Sequence, residues 1–184
     1  IDWLANFLDK CRLVSDEEMQ SLWAKLLAGE ATRPGAFSKR AVNLLNTLDK
    51  ADAELFTAVC GFICTVDDTK CPWIYDLDDS VYKNQGINFQ NLTNLDAAGL
   101  LRFESVAGFS IGELPKIFTL QYFDTTLKIE FASDDKASHN FQVGSVILTN
   151  AGAELARICS PKPVDGVIDY VIKRCMNENL TISS

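Results

Sequence analysis

Histidine is nearly absent from this chain of 184 residues, which contains only His139. Histidine is the side chain most often used as a general base near neutral pH, and hydrolase triads depend on such a base. His139 lies in the polar run 133–140, a pattern that predicts a surface loop. The sequence therefore assigns no catalytic residue, and an enzyme is the function class that it favours least.

Basic residues are also few: 17 lysines and arginines face 25 acidic residues, which gives a net charge of −8. Binding to duplex DNA depends on cations that neutralise phosphates, so this balance argues against general affinity for polyanions. It also weakens attraction to anionic membranes. The longest uncharged apolar runs, such as 58–66, are too short to span a bilayer.

Glycine-rich phosphate loops and spaced metal-binding motifs are missing as well, so we expect neither a cofactor nor a metal. Six cysteines are too dispersed for a disulfide framework, which indicates reduced, intracellular thiols. The one cluster, Cys60, Cys64 and Cys71, matches neither a zinc ribbon nor a redox pair. Cys60 and Cys64 lie four residues apart on a predicted apolar helix, where cysteine acts as a small hydrophobe.

Two groups of aspartates keep an enzymatic alternative open. Carboxylates close together can shift a pKa or hold a divalent cation. Such clusters are more often solvated turns in an acidic chain. A carboxylate- or metal-dependent enzyme is therefore the second alternative, with the candidate residues Asp76, Asp78, Asp79, Asp134 and Asp135.

Helical periodicity fills the first 66 residues. Apolar residues recur every three or four positions, with stops or turns near Gly29 and Pro34. Ser15 and Ser38 are predicted to cap the second and third helices, and Asp52 to open the fourth. The pattern predicts a bundle of antiparallel helices over residues 1–66.

Alternating apolar residues dominate residues 67–184 and predict a small antiparallel sheet. A Leu-Thr-Asn phrase occurs twice around it, at Leu92 and at Leu148. Asn88 is predicted to cap a helix that ends at Gly99, and Thr149 to cap another. Helix, strands and helix in this order indicate a winged-helix-like region. We expect an α+β fold whose regions 1–66 and 67–184 pack as one compact unit.

Several phrases resemble a family of bacterial proteins known only as a domain of unknown function. The resemblance is carried by SDEEM from Ser15, LWAKLLAGE over 22–30, PGAFSKR over 34–40, AGLL over 98–101 and LT-x-AG over 148–152. It spans most of the chain and supplies no activity, cofactor or catalytic residue. It implies a bacterial cytoplasmic protein with additional sequence upstream, which agrees with a chain that begins at Ile1 within a helical pattern.

A non-enzymatic interaction or sensing module is the function that these features favour. Its candidate site for a protein partner or a small ligand comprises Trp23, Pro34, Phe37 and Arg40 around the polar connection 30–40. An exposed Phe37 would be a recognition anchor. Alternatively, Phe37 staples the entry of the helix by packing on Val42.

A DNA-binding regulator of the winged-helix type is the first alternative. The recognition helix would be 89–98, whose amides can pair with adenine. The helix has no lysine or arginine, and phosphate contacts dominate affinity. Nucleic acid is therefore a disfavoured partner, with the candidate readers Gln90, Asn91, Thr93, Asn94 and Arg102.

Self-association is a further expectation. The first helix has an apolar stripe that needs a cover. A symmetric homodimer through this helix would bury Trp3, Leu4, Phe7 and Leu8.

Overall fold

The computed structural model describes residues 2–12 and 14–183. Ile1, on which the expectation of an upstream segment rested, lies outside the described residues. The fold is mixed α+β, as predicted. None of the described helices combines the length and the apolar character needed to cross a membrane.

Eight α-helices and nine strands form among the described residues. The helices are α1 (Asp2–Cys11), α2 (Glu17–Thr32), α3 (Lys39–Thr47), α4 (Lys50–Cys60), α5 (Ser80–Lys83), α6 (Phe89–Ala98), α7 (Asn150–Ala156) and α8 (Val167–Asn177). The strands are β1 (Ile63–Val66), β2 (Thr69–Pro72), β3 (Leu101–Phe103), β4 (Phe109–Ile111), β5 (Ile117–Tyr122), β6 (Thr125–Glu130), β7 (Phe141–Gly144), β8 (Val146–Leu148) and β9 (Thr181–Ser183).

Several predicted helix caps are confirmed. The Ser38 hydroxyl accepts the amide of Ala41, and the Asn88 side chain accepts the amide of Asn91. Gly99 ends α6 in the left-handed conformation, at φ 89°. The side chains of Ser38 and Asn88 accept amides of the first helical turn that have no backbone partner. The preference for polar residues at such positions makes these caps predictable from the sequence.

Two other predicted caps are wrong. The N-terminus of α2 is capped by Asp16 rather than Ser15, because the Asp16 carboxylate accepts the amides of Glu18 (3.0 Å) and Met19 (3.1 Å). The fourth helix begins before Asp52, and the Asp49 carboxylate accepts the Asp52 amide at 2.8 Å. In both cases the helix begins after the aspartate whose carboxylate accepts an amide two or three residues further along the chain.

The chain divides into two compact units that differ from the predicted ranges 1–66 and 67–184. The helical unit comprises 1–60, 87–102 and 148–161, and the β unit comprises 61–86, 103–147 and 162–184. The helical unit includes segments from the second half of the chain because α6 and α7 pack with early helices. In the helical unit α6 contacts α4, and α7 contacts α3.

The second copy of the Leu-Thr-Asn phrase contacts the end of α6 inside the helical unit. The Thr149 hydroxyl donates to the Gly99 carbonyl at 2.7 Å and accepts the Gly152 amide at 3.0 Å. The Thr149 amide donates to the Leu100 carbonyl at 3.2 Å. One side chain therefore caps α7 and joins its start to the end of α6. We call this group, Gly99, Leu100, Thr149 and Gly152, the threonine latch.

The β unit contains an antiparallel sheet with the strand order β2-β1-β5-β6-β9. A second pair, β4 with β7, is also antiparallel. Cys64 lies opposite Cys71 in the β1–β2 hairpin. The prediction that Cys64 continues an apolar helix is therefore wrong. β-Branched residues and a two-residue aspartate turn make Ile63–Val66 a strand instead.

His139 lies in the interior of the β unit, at 2% exposure, and not on a surface loop as predicted. Its Nδ1 lies 2.9 Å from the Leu114 carbonyl oxygen, and its Nε2 lies 2.9 Å from the Ser133 carbonyl oxygen. The ring stacks on Phe131 at a centroid distance of 4.5 Å. The single histidine thus joins two backbone segments. The sequence does not indicate this role, because the neighbours of His139 are polar and predict a surface position.

Candidate functional site

The predicted motif over residues 30–40 forms a connection whose backbone is held by charged side chains. The Glu30 carboxylate accepts the amides of Gly35 (2.7 Å) and Phe37 (3.0 Å). The Glu154 carboxylate accepts the amide of Ser38 at 2.6 Å. These charge-assisted bonds fix the path of the chain between α2 and α3.

Phe37 is buried at 4% exposure, so it is not an exposed recognition anchor. Its ring contacts Gly29, where an added Cβ would lie 2.6 Å from the ring. The Arg157 guanidinium lies over the ring at 4.8 Å and donates to the Ala36 carbonyl. Gly29 lies within α2, so the prediction that it ends this helix is wrong. The close Phe37 ring explains why this position is glycine.

The other three residues of the predicted partner site lie in different environments. Trp23 is buried, whereas Pro34 and Arg40 are exposed. Arg40 lines a groove of about 430 Å³ beside Gly99 and Thr149. Burial removes Trp23 from any surface contact, and the four residues do not form one exposed site.

A second groove, of about 480 Å³, lies beside the motif connection in the helical unit. We call it the cationic groove. Its floor is made of small or apolar side chains, including Gly29, Phe37 and Ile158. Its charged lining residues are all basic: Lys25, Arg33 and Arg157.

The three cations of the cationic groove lack acidic partners in the described part of the chain. No carboxylate oxygen there lies within 4.0 Å of the side-chain nitrogens of Lys25, Arg33 or Arg157. Lys25 Nζ instead donates to Ser160 Oγ at 2.9 Å. The groove therefore presents positive charge in a chain whose net charge is −8.

Cys159 places a thiol in the same groove. The Cys60 thiol hydrogen-bonds to it and lowers the pKa of Cys159, with Thr57 and Lys25 acting in the same direction and burial opposing them. The same hydrogen bond and burial raise the pKa of Cys60 well above its usual range. The lowered pKa of Cys159 therefore comes mainly from the Cys60 hydrogen bond, with a smaller contribution from the Lys25 ammonium.

The residues proposed for nucleic-acid reading lie on α6 and at the start of β3. Gln90, Thr93, Asn94 and Arg102 are exposed, and Asn91 is half-buried. The Gln90 amide donates to Asn94 Oδ1 at 2.9 Å, and the Thr93 hydroxyl donates to the Phe89 carbonyl. Three of the polar groups are thus hydrogen-bonded within the helix.

The predicted self-association stripe on α1 is covered only in part. Phe7 is buried, and half-buried Trp3 stacks on it at 5.4 Å. Leu4 and Leu8 remain 48% and 55% exposed. Contact of α1 with α3 supplies part of the cover that the sequence led us to expect from a second copy.

The aspartate clusters of the enzymatic alternative serve local structure in the β unit. Asp76 and Asp79 accept amides of following residues, and Asp78 pairs with Lys83 at 2.8 Å. Asp134 pairs with Lys116 at 2.5 Å, and Asp135 accepts the Ala137 amide. Over residues 2–12 and 14–183, no group of three His, Cys, Asp or Glu residues is placed to hold a metal ion.

Comparison with known proteins gives one match. The model of a family described as a protein of unknown function, DUF2806, matches residues 1–171. No curated protein and no solved structure matches the chain.

Proposed function

The chain belongs to the DUF2806 family of proteins of unknown function, and we propose that it is a non-enzymatic interaction module of a bacterial cytoplasmic protein. The partner binds in the cationic groove of the helical unit. In this proposal α6, β3, β8 and α7 form a winged-helix-like arrangement that supports the groove-bearing helices. The threonine latch, with its 2.7 Å bond from Thr149 to Gly99, favours that arrangement.

The observation that carries the proposal is the uncompensated positive charge of the cationic groove. Lys25, Arg33 and Arg157 line it without a carboxylate within 4.0 Å among the described residues. Cations beside an apolar floor suit a ligand with acidic and apolar groups. Stacking on Phe37 holds the Arg157 guanidinium in place, which reduces the entropy lost on binding.

The pair Lys25 and Ser160 raises the question of catalysis, because lysine can activate a serine hydroxyl. A lysine acts as a general base where burial removes its hydration. Lys25 is exposed, and its ammonium donates to Ser160 Oγ at 2.9 Å. The pair therefore favours positioning of a charge over activation of a nucleophile.

Charge reversal in the cationic groove tests the proposal. The probe is a fluorescein-labelled acidic peptide with glutamate and leucine residues, measured by fluorescence anisotropy at low salt. We expect Lys25→Glu combined with Arg33→Glu to weaken binding by about tenfold or more, because two attractive charges become repulsive. Both side chains are exposed, so the fold is expected to persist.

Lys128→Glu is the matched control, since it reverses an exposed charge on β6. It should change the dissociation constant by less than about twofold. Absence of binding to the unaltered chain would count against the proposal. So would an equal loss in the Lys128→Glu variant.

Self-association through α1 is a second part of the proposal, supported by the exposure of Leu4 and Leu8, at 48% and 55%. We expect a concentration-dependent mass in sedimentation equilibrium, because adjacent exposed leucines favour burial against a second copy. Leu8→Glu should give a monomer, while Asp9→Asn, at the neighbouring exposed position, should not. A monomer at all concentrations would refute self-association.

A further inference from the structure

A second groove adjoins the cationic groove along the same helix. This acidic groove, of about 330 Å³, is lined by residues that include Glu18, Leu22, Glu54 and Thr57. Lys25 and Ser160 line both grooves, and their 2.9 Å hydrogen bond lies where the two meet. The two grooves therefore adjoin, and we call them together the surface channel.

A single face of α2 lines the channel over most of the helix. The α2 positions in the acidic groove are 18, 21, 22 and 25, and those in the cationic groove are 25, 28, 29, 32 and 33. Spacings of three and four residues keep all of them on one side of an α-helix. At 1.5 Å per residue, the stripe from Glu18 to Arg33 is about 22 Å long.

The two ends of the channel carry opposite charge. Glu18 and Glu54 lie in the acidic groove, and Lys50 is 3.3 Å and 3.7 Å from their carboxylates, with Asp16 at 3.9 Å. With Lys25 counted, two ammonium groups face three carboxylates, which leaves an excess of one negative charge. Glu18 raises the pKa of Lys50. At the other end Arg33 and Arg157 have no such partners in the described part of the chain, while Lys25 lies where the two grooves meet.

From this channel we infer that the partner binds as a linear peptide segment whose acidic and basic residues lie at opposite ends. This inference rests on the function proposed above. Its acidic residues contact Arg33 and Arg157, its apolar residues lie over the Lys25–Ser160 bond, and its basic residues contact Glu18 and Glu54. A length of about 22 Å fits roughly six or seven residues of extended chain. A small anion would occupy one end and leave the acidic groove unused.

The inference is tested with three labelled peptides on the intact chain. The first has glutamates at one end and lysines at the other, and the second has the same residues in alternation. The third is the acidic peptide used for the cationic groove. We expect the segregated peptide to bind about fivefold or more tightly than the alternating one, since only segregated charges meet both ends of the channel.

Neutralising the acidic groove separates the inference from the proposed function. Glu18→Gln with Glu54→Gln should abolish the preference for the segregated peptide. The dissociation constant of the acidic peptide should stay within about twofold of that of the unaltered chain, or fall, because no attractive charge is lost. The matched control, Asp9→Asn with Glu17→Gln, removes two exposed carboxylates outside the channel and should keep the preference.

Equal binding of the segregated and alternating peptides would overturn the inference. So would a preference that survives Glu18→Gln with Glu54→Gln. In either case, binding of the acidic peptide can still depend on Lys25 and Arg33. The proposed function then stands, and only the inference of a linear, charge-segregated ligand is lost. If no peptide binds the unaltered chain, both fall.

Discussion

Replacing Gly152 with alanine is expected to lower the free energy of unfolding of the helical unit by about 3 kcal/mol or more. Gly152 lies on α7 directly against the Leu100 carbonyl oxygen, and an added Cβ would overlap that atom. The obstacle is backbone, so no side-chain rotation relieves the overlap. α7 would have to move away from the end of α6.

Such a movement would break the threonine latch. Thr149 joins the two elements through its hydroxyl, at 2.7 Å from the Gly99 carbonyl, and through its amide, at 3.2 Å from the Leu100 carbonyl. The Thr149 hydroxyl also accepts the Gly152 amide at 3.0 Å. These hydrogen bonds all involve Thr149. A shift of α7 that relieves the overlap with the Leu100 carbonyl would therefore break several of them at once.

Urea unfolding followed by circular dichroism at 222 nm measures the effect, and hydrogen exchange of α7 locates it. Gly112→Ala is the control, because nothing lies within 4 Å of its added Cβ, and it should change stability by less than about 0.5 kcal/mol. Thr149→Val should cost an intermediate amount, about 1–2 kcal/mol, through loss of the cap. A Gly152→Ala variant as stable as the Gly112→Ala variant would contradict the latch geometry.

The latch shows how far local patterns predict this fold. Both Leu-Thr-Asn phrases were assigned the right caps, since a cap depends on neighbours within four residues. The hydrogen bond between the two elements joins Gly99, the C-cap of α6, with Thr149, the N-cap of α7, 50 positions apart. Periodicity carries no information about such pairing, and this is why contiguous ranges were predicted where the units are interleaved.

The strand β1 was predicted as helix for a related reason. Residues 58–66 form one apolar run, and a short buried strand cannot be told from a buried helix by period alone. Pairing of Thr65 with Lys70 in β2 and with Gln121 in β5 decides the matter in the fold. The second of these partners is distant in sequence.

Of the predicted partner site, Phe37 lines the cationic groove. The charged residues that line this groove are Lys25, Arg33 and Arg157, and the sequence singled out none of them. Arg157 comes from a segment more than a hundred residues away, and only the fold brings it over Phe37. One signal was Gly29 in LLAGE, because a glycine inside a helical pattern marks a close approach, here by the Phe37 ring.

Replacing His139 is the second change expected to have a large effect, and it separates ring packing from hydrogen bonding. His139→Phe keeps a ring for stacking on Phe131 but leaves the Leu114 and Ser133 carbonyls without a side-chain donor. An uncharged imidazole donates one of these bonds, and an imidazolium donates both. We expect His139→Phe to cost about 1–3 kcal/mol, the penalty for a buried polar group left unpaired.

His139→Ala should cost more, about 3–5 kcal/mol, because it also removes the ring and leaves a cavity beside Phe131. Lys136→Ala, in the same segment but exposed, should lie within about 0.5 kcal/mol of the unaltered chain. Urea unfolding at constant pH ranks the three variants. If His139→Phe matched the unaltered chain, the two carbonyl contacts would add nothing to stability, and packing alone would explain why a histidine sits in the interior.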